Sequence, residues 1–219
     1  MHYHIIIINF CVLIITYHLL CKYILKYNEL TSWYLIHSIA NLFITYYCIV
    51  PILAICNDPI YHLFNPTEFY ITMILIIILH SYHFLFFECT DDDVFHHVTF
   101  VGLGSFVVFF FKNGYFLALS NFFICGLPGA IDYFFLFLYK RGYIEKNIRL
   151  REAVFINVWF RSIGLNFVAF FAILNFIYSE KSIENIIELG LQIIMTIGNG
   201  NLYMKDIVYA AGKRNIYEV

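Results

Sequence analysis

Charge is scarce in this chain, and what there is falls in a few places. Asp, Glu, Lys and Arg make up only 13% of the 219 residues, against 62% hydrophobic ones, where soluble domains carry about 25% charged and roughly 45–50% apolar residues. With a mean hydropathy of +0.77, this shortage excludes an ordinary water-soluble domain and points to a membrane protein. Part of the excess of Ile, Phe, Tyr and Asn fits an AT-rich coding sequence, so the positions of the charges weigh more than raw hydropathy. No basic run interleaved with aromatics is present, which removes nucleic acid as a partner.

Other absences narrow the reading further. The six cysteines, Cys11, Cys21, Cys48, Cys56, Cys89 and Cys125, contain no CxxC pair, so neither a disulfide framework nor a zinc ribbon is expected, and they read as small residues of apolar spans. Cys21, beside Lys22, also has the setting of a palmitoylation site. No Lys or Arg precedes the first apolar run, "IIIINFCVLIITYHLL", whereas Lys22 and Lys26 follow it. A cleavable signal peptide has the opposite flank, so a retained first span is expected. "YHLLC" lacks the small residue of a lipobox. Histidine is absent after His97, which argues against the histidine boxes of di-iron lipid hydroxylases and desaturases. It argues equally against seven-span zinc amidohydrolases, whose ligands sit on the last spans. No metal site and no bound cofactor are expected.

What is present is a series of apolar segments near the roughly 20 residues that cross a hydrocarbon core about 30 Å thick. Seven are expected, at 3–21, 33–56, 69–87, 95–111, 115–138, 153–178 and 183–204. The fourth depends on a turn at "KNG", 112–114, and without that crossing the count falls to six. With seven alternating spans, Lys22, Lys26, Lys140, Arg141, Lys146, Arg149, Arg151, Lys205, Lys213 and Arg214 fall on one side and only Lys112 and Lys181 on the other. The positive-inside rule then puts the N-terminus outside or in a lumen and the C-terminus in the cytoplasm. The fold class expected is an all-α polytopic bundle forming one domain over 1–219. The hydrophilic stretch "YKRGYIEKNIRLRE", 139–152, reads as a short interfacial helix whose basic cluster suits anionic headgroups or cofactor phosphates.

In this topology the costly polar residues fall at one depth. Counted at about 1.5 Å per residue, His37, His80, His83, His96, His97, Asp132, Arg161, Asn199 and Asn201 lie roughly 5–15 Å below the cytoplasmic face. Ionisable groups inside a bilayer face a cavity or one another, so a shared cavity open to the cytoplasm is expected. The outer halves of the spans are almost purely apolar, which disfavours a channel or pump. His96 and His97 point about 100° apart on a helix, so one faces the cavity and the other supports it. Asp92 and Asp93, one turn earlier, either orient the histidines or cap the helix. In "CGLPGAIDY", 125–133, Gly126, Pro128 and Gly129 kink or interrupt the fifth span, and interrupted helices tend to line cavities.

"WYLIHSI" at the start of the second span, "DDDVFHH" leading into the fourth, the aspartate of "GAIDY" and "NGNLYMK" closing the last span resemble the TLC family of polytopic membrane proteins, which includes the ceramide synthases. The resemblance covers about 33–205 and leaves the first span outside it. It implies that His96 and His97 serve acyl transfer from acyl-CoA to an amine or hydroxyl, with Asp132 beside them, acyl-CoA as co-substrate and the endoplasmic reticulum or a related internal membrane as the location. Ceramide synthases carry a richer run of aspartates after the histidine pair than the nearly solitary Asp132 here. Other TLC proteins affect phospholipid composition or carry cargo in the early secretory pathway, so lipid binding, sensing or cargo transport without catalysis stands beside the acyltransferase reading.

Overall fold

The computed structural model describes residues 3–65, 67–102, 114–178 and 182–213, without the side chains of Leu63, Phe64, Asp92, Phe100 and Glu184. Among these residues every regular element is a helix. Helix α1 is Tyr3–Ile24, α2 Glu29–Asn57, α3 Pro59–Phe64 and α4 Ile71–Phe86. Helix α5 starts as Asp91–His96 and runs on as the π turn His97–Gly102. Helices α6, Gly114–Ile124, and α7, Leu127–Lys140, follow. Helix α8 is Lys146–Tyr178, and α9 runs from Ile183–Ile193 through the π turn Ile194–Gly198 into Asn199–Gly212.

Among the described residues four stretches are long and apolar enough to cross a membrane: Tyr3–Ile24, Glu29–Asn57, the pair α6 and α7 as Gly114–Lys140, and Lys146–Tyr178; Ile71–Phe86 is a shorter apolar helix. The chain is therefore a multi-pass integral membrane protein by length and composition. Most of the expected fourth span, with its "KNG" turn, lies outside the described residues. One expectation needs correction. No separate interfacial helix occupies 139–152. A tight turn with Gly142 at φ +73° reverses the chain, and Lys146–Phe155 continues directly into the apolar part of α8. Burial explains this: Leu150 and Ala153 are covered, with Leu150 packed against Ala211 of α9, so these turns join the bundle by tertiary contact.

Local chemistry sets the helix starts. Asn28 caps α2, its Oδ1 accepting from Thr31 N–H at 2.8 Å; Asp58 caps α3 through Tyr61 N–H at 2.9 Å. Thr90 and Asp93 make a reciprocal capping box at the start of α5, which satisfies donors left unpaired at a helix N-terminus. Helix α2 is the hub, packing against α1, α4, α6 and α7. Its Trp33, Ile36, Ala40 and Ile44 join Phe10, Ile14, Leu75, Leu79 and Leu117 in the main core. A second cluster joins Ile55, Phe116, Leu119, Val168 and Phe171. Contacts mark the two ends of the bundle: Arg141 in the turn after α7 lies over the ring of Tyr27 in the α1–α2 linker at 4.5 Å, and His62 of α3 meets Tyr115 in the first turn of α6 at 5.2 Å.

Candidate functional site

The polar residues of the spans converge on one cavity. It has a volume of about 290 Å³ and is lined from α2 by His37 and Asn41, from α4 by His80, and from α5 by Asp93 and His96. Gly129, Asp132 and Tyr133 of α7, Arg149, Asn157 and Arg161 of α8, and Asn199 and Tyr203 of α9 complete the wall. At about 30 Å³ per molecule this is room for roughly ten waters, or for a polar headgroup in their place.

At its centre is a run of imidazoles. His37 and His80 have ring centroids 5.4 Å apart, His80 and His96 5.2 Å, His80 and His97 5.1 Å, and His83 and His97 5.0 Å. Both ring nitrogens of His37 and of His80 are buried with no hydrogen-bond partner among the described residues. Buried polar atoms of this kind are rare and call for solvent or a ligand. The adjacent histidines divide their work. His96 lines the cavity and its Nδ1 is 2.7 Å from the Tyr203 hydroxyl. His97 turns to the α4 side, where its Nε2 is 3.3 Å from His83 Nδ1. The His83 ring is clamped by Trp33, stacked at 3.9 Å and 4°. Cys89 approaches the same pair, and among the described residues His83, Cys89 and His97 are the donors that converge at metal-ligand spacing.

Asp93 acts mainly as a cap. Its Oδ2 accepts from Thr90 N–H at 2.9 Å and from the Thr90 hydroxyl at 2.7 Å. Burial alone would raise its pKa, but these hydrogen bonds outweigh burial and hold the carboxyl below its ordinary value, with help from His83 and His97. The Asp92 side chain lies outside the described residues. Asp132 is ion-paired with Arg149 at 3.5 Å, so one arginine of the basic stretch is drawn to the cavity. Arg161 is buried and donates to Asn157 Oδ1, while its Nε has no partner among the described residues. That leaves a buried cation beside the histidines with no carboxylate of its own among the described ion pairs. Asn199 is buried in the wall, whereas Asn201 is exposed.

The glycines and proline of "CGLPGAIDY" shape this wall. The helix stops after Ile124, Cys125 and Gly126 form a turn whose N–H groups both donate to Asn121 O, and α7 restarts with Pro128 in its first turn. A Cβ at Gly126 would stand 2.7 Å from Phe122 O, and one at Gly129 would stand 2.6 Å from Asn41 Nδ2. The first keeps the break tight, and the second lets α2 and α7 approach beside the cavity. Ser38 ties the two helices by donating to Ala130 O at 2.8 Å.

A second, apolar cavity of about 50 Å³ shares His80, His96, Ile124, Cys125 and Asn199 with the first and adds Met73, Ile76, Leu117, Val168 and Met195. A polar chamber and an apolar one thus adjoin across a shared wall that includes His80 and His96. Sequence reasoning did not single out Asn41, Tyr133, Asn157 or Tyr203, because a Tyr or Asn within an apolar run carries no signal of which way it points. Comparison with known protein families, characterised proteins and solved structures found no match for this chain.

Proposed function

We propose that this protein acts on an amphipathic lipid, using a histidine-lined cavity for acyl transfer from acyl-CoA in the manner of the TLC family that its motifs resemble. The single observation that supports the reading is the adjoining pair of chambers, one lined by His37, His80, His96, Asp132 and Arg161 and the other by Met73, Ile76, Leu117 and Val168. A lipid headgroup suits the first and the start of its chain suits the second, since each part then keeps the surroundings that its solvation demands.

In this scheme His96 removes the proton of an amine or hydroxyl acceptor. The acceptor attacks the thioester carbonyl, its new bond to carbon forms as the carbon–sulfur bond breaks, and the thiolate of coenzyme A leaves with the proton returned by the histidine. Tyr203, at 2.7 Å, orients the His96 ring. His97 holds the segment from behind through His83. Arg149 and Arg161 supply positive charge for the phosphates of the acyl donor, and Asp132 fixes Arg149. Seven spans, a cytoplasmic cavity mouth and residence in the endoplasmic reticulum or a related internal membrane belong to the same proposal.

The test is a lipid profile of membranes expressing the wild type or the His96→Ala/His97→Ala variant at matched levels of folded protein. The reading requires an acylated lipid class to rise with the wild type and not with the variant, and an acyl-CoA-dependent product in purified membranes. Equal shifts in both would replace catalysis by lipid binding, sensing or cargo transport through the same cavity.

A further inference from the structure

We infer that His83, Cys89 and His97 bind a zinc ion at the edge of the histidine cluster, clamping the end of α4 to the start of α5. The three residues come from three different local structures: the last turn of α4, the linker, and the junction of α5 with its π turn. One donor atom from each lies within 4.8 Å of the other two.

Tetrahedral zinc with nitrogen ligands at about 2.0–2.1 Å and sulfur at about 2.3 Å sets neighbouring donors roughly 3.3–3.7 Å apart. His83 Nδ1 and His97 Nε2 already stand 3.3 Å apart. That is long for a hydrogen bond between two neutral rings and matches two ligands of one ion. The thiol lies within 4.8 Å of both imidazoles and sits on non-helical linker, where among the described residues its hydrogen bond is a 3.9 Å contact to Phe87 O.

The surroundings are built for the imidazoles. Trp33 stacks on His83 and Phe87 packs near it at 5.9 Å, which limits ring rotation. The Thr90–Asp93 capping box fixes where α5 begins, and His97 N–H donates to Asp93 O one turn later, so the cap sets the reach of His97. Its Nδ1 is buried without a partner among the described residues. His83 is buried while Cys89 and His97 are half-buried, which leaves a path for an ion to enter.

The donor set narrows the metal. Two imidazoles and one thiolate suit zinc or copper and offer no oxygen to magnesium or calcium, and between the two the tetrahedral donor spacing favours zinc. Binding releases the thiol proton to solvent. Three protein ligands leave the fourth position for water or a ligand atom. The ion would hold His97, and with it the orientation of its neighbour His96, without taking part in acyl transfer. The site therefore stands whether or not the lipid reading does.

The experiment uses the purified full chain in detergent, with zinc and cobalt(II) as probes. Metal analysis after washing with a weak chelator should give one zinc per chain. Cobalt(II) should produce thiolate-to-cobalt charge-transfer absorption in the near ultraviolet, and Cys89→Ser should abolish that absorption and weaken zinc binding at least about tenfold. Should Cys89→Ser fail to fold, wild-type protein still decides the matter, because zinc must slow alkylation of Cys89, mapped by mass spectrometry, and a chelator must restore it. Absence of zinc, binding without thiolate absorption or protection of Cys89, or stoichiometric copper or iron in its place would each overturn the assignment.

Discussion

At the scale of single residues, Asp93 carries two tasks at once. It caps α5 through Thr90 and it lies in the cavity wall. Its carboxyl titrates below the ordinary carboxylate range in the folded chain. The stabilisation is thus fully present above the unfolded value near 4 and is lost as pH falls through the depressed folded value. Thermal unfolding in detergent should show wild-type protein losing stability through that acid window and Asp93→Asn showing a smaller loss there. Thr90→Ala should cost about 1 kcal/mol at neutral pH, the usual effect of removing an N-cap side chain. Depth counting along the sequence picked out His37, His80, His96, Asp132, Arg161 and Asn199, and these share one cavity. Cys89 was not singled out as a ligand. Its nearness to His83 and His97 is made by the path of a short linker, which periodicity does not encode.

At the scale of elements, the break between α6 and α7 is a tightly constrained joint. Phe122 O is backbone and has no rotamer by which to yield to a Cβ at Gly126. Gly126→Ala should therefore lower stability by about 1–3 kcal/mol, the range for overpacking a tight site, read as a fall in midpoint temperature in detergent. Gly142→Ala should also destabilise, through strain at φ +73° rather than crowding, since nothing lies within 4 Å of its Cβ. The interruption was legible because Gly and Pro punctuate helices wherever they occur. The start of α8 was not. A basic, hydrophilic stretch reads as surface, and only the packing of Leu150 against Ala211 of α9 reveals why it is helix continuous with the apolar part.

For the molecule as a whole, a membrane-embedded helical bundle follows directly from composition and run length, and four helices meet both criteria. Long apolar runs leave little freedom, because an unpaired backbone in lipid costs too much to leave outside a helix. The proposed seven-span topology makes a sharp prediction for single-cysteine variants in a background with the native cysteines replaced. Cysteines at Lys26, Arg141 and Lys213 should react with an impermeant thiol reagent from the cytoplasmic side, and one at His62 from the opposite side. A Lys26 and Arg141 pair labelled from opposite sides would break the topology, since Arg141 lies over Tyr27.

The π turns have a further bearing on how such a chain is read. Of the four π turns among the described residues, Leu20–Ile24 lies in α1 away from the two cavities, while His97–Gly102, Ile156–Ser162 and Ile194–Gly198 each contribute residues to the wall of one of them. Each widens the helix by a residue, so the segments on either side differ in phase by roughly 100° from an uninterrupted α-helix. In α8, Leu150 meets Ala211 of α9 before the turn, while Val168 and Phe171 meet Phe116 after it. An apolar stripe traced along such a helix is true on each side of the cavity and slips across it. The level where the chemistry gathers is the level at which the helical repeat stops being a guide to which residue faces in.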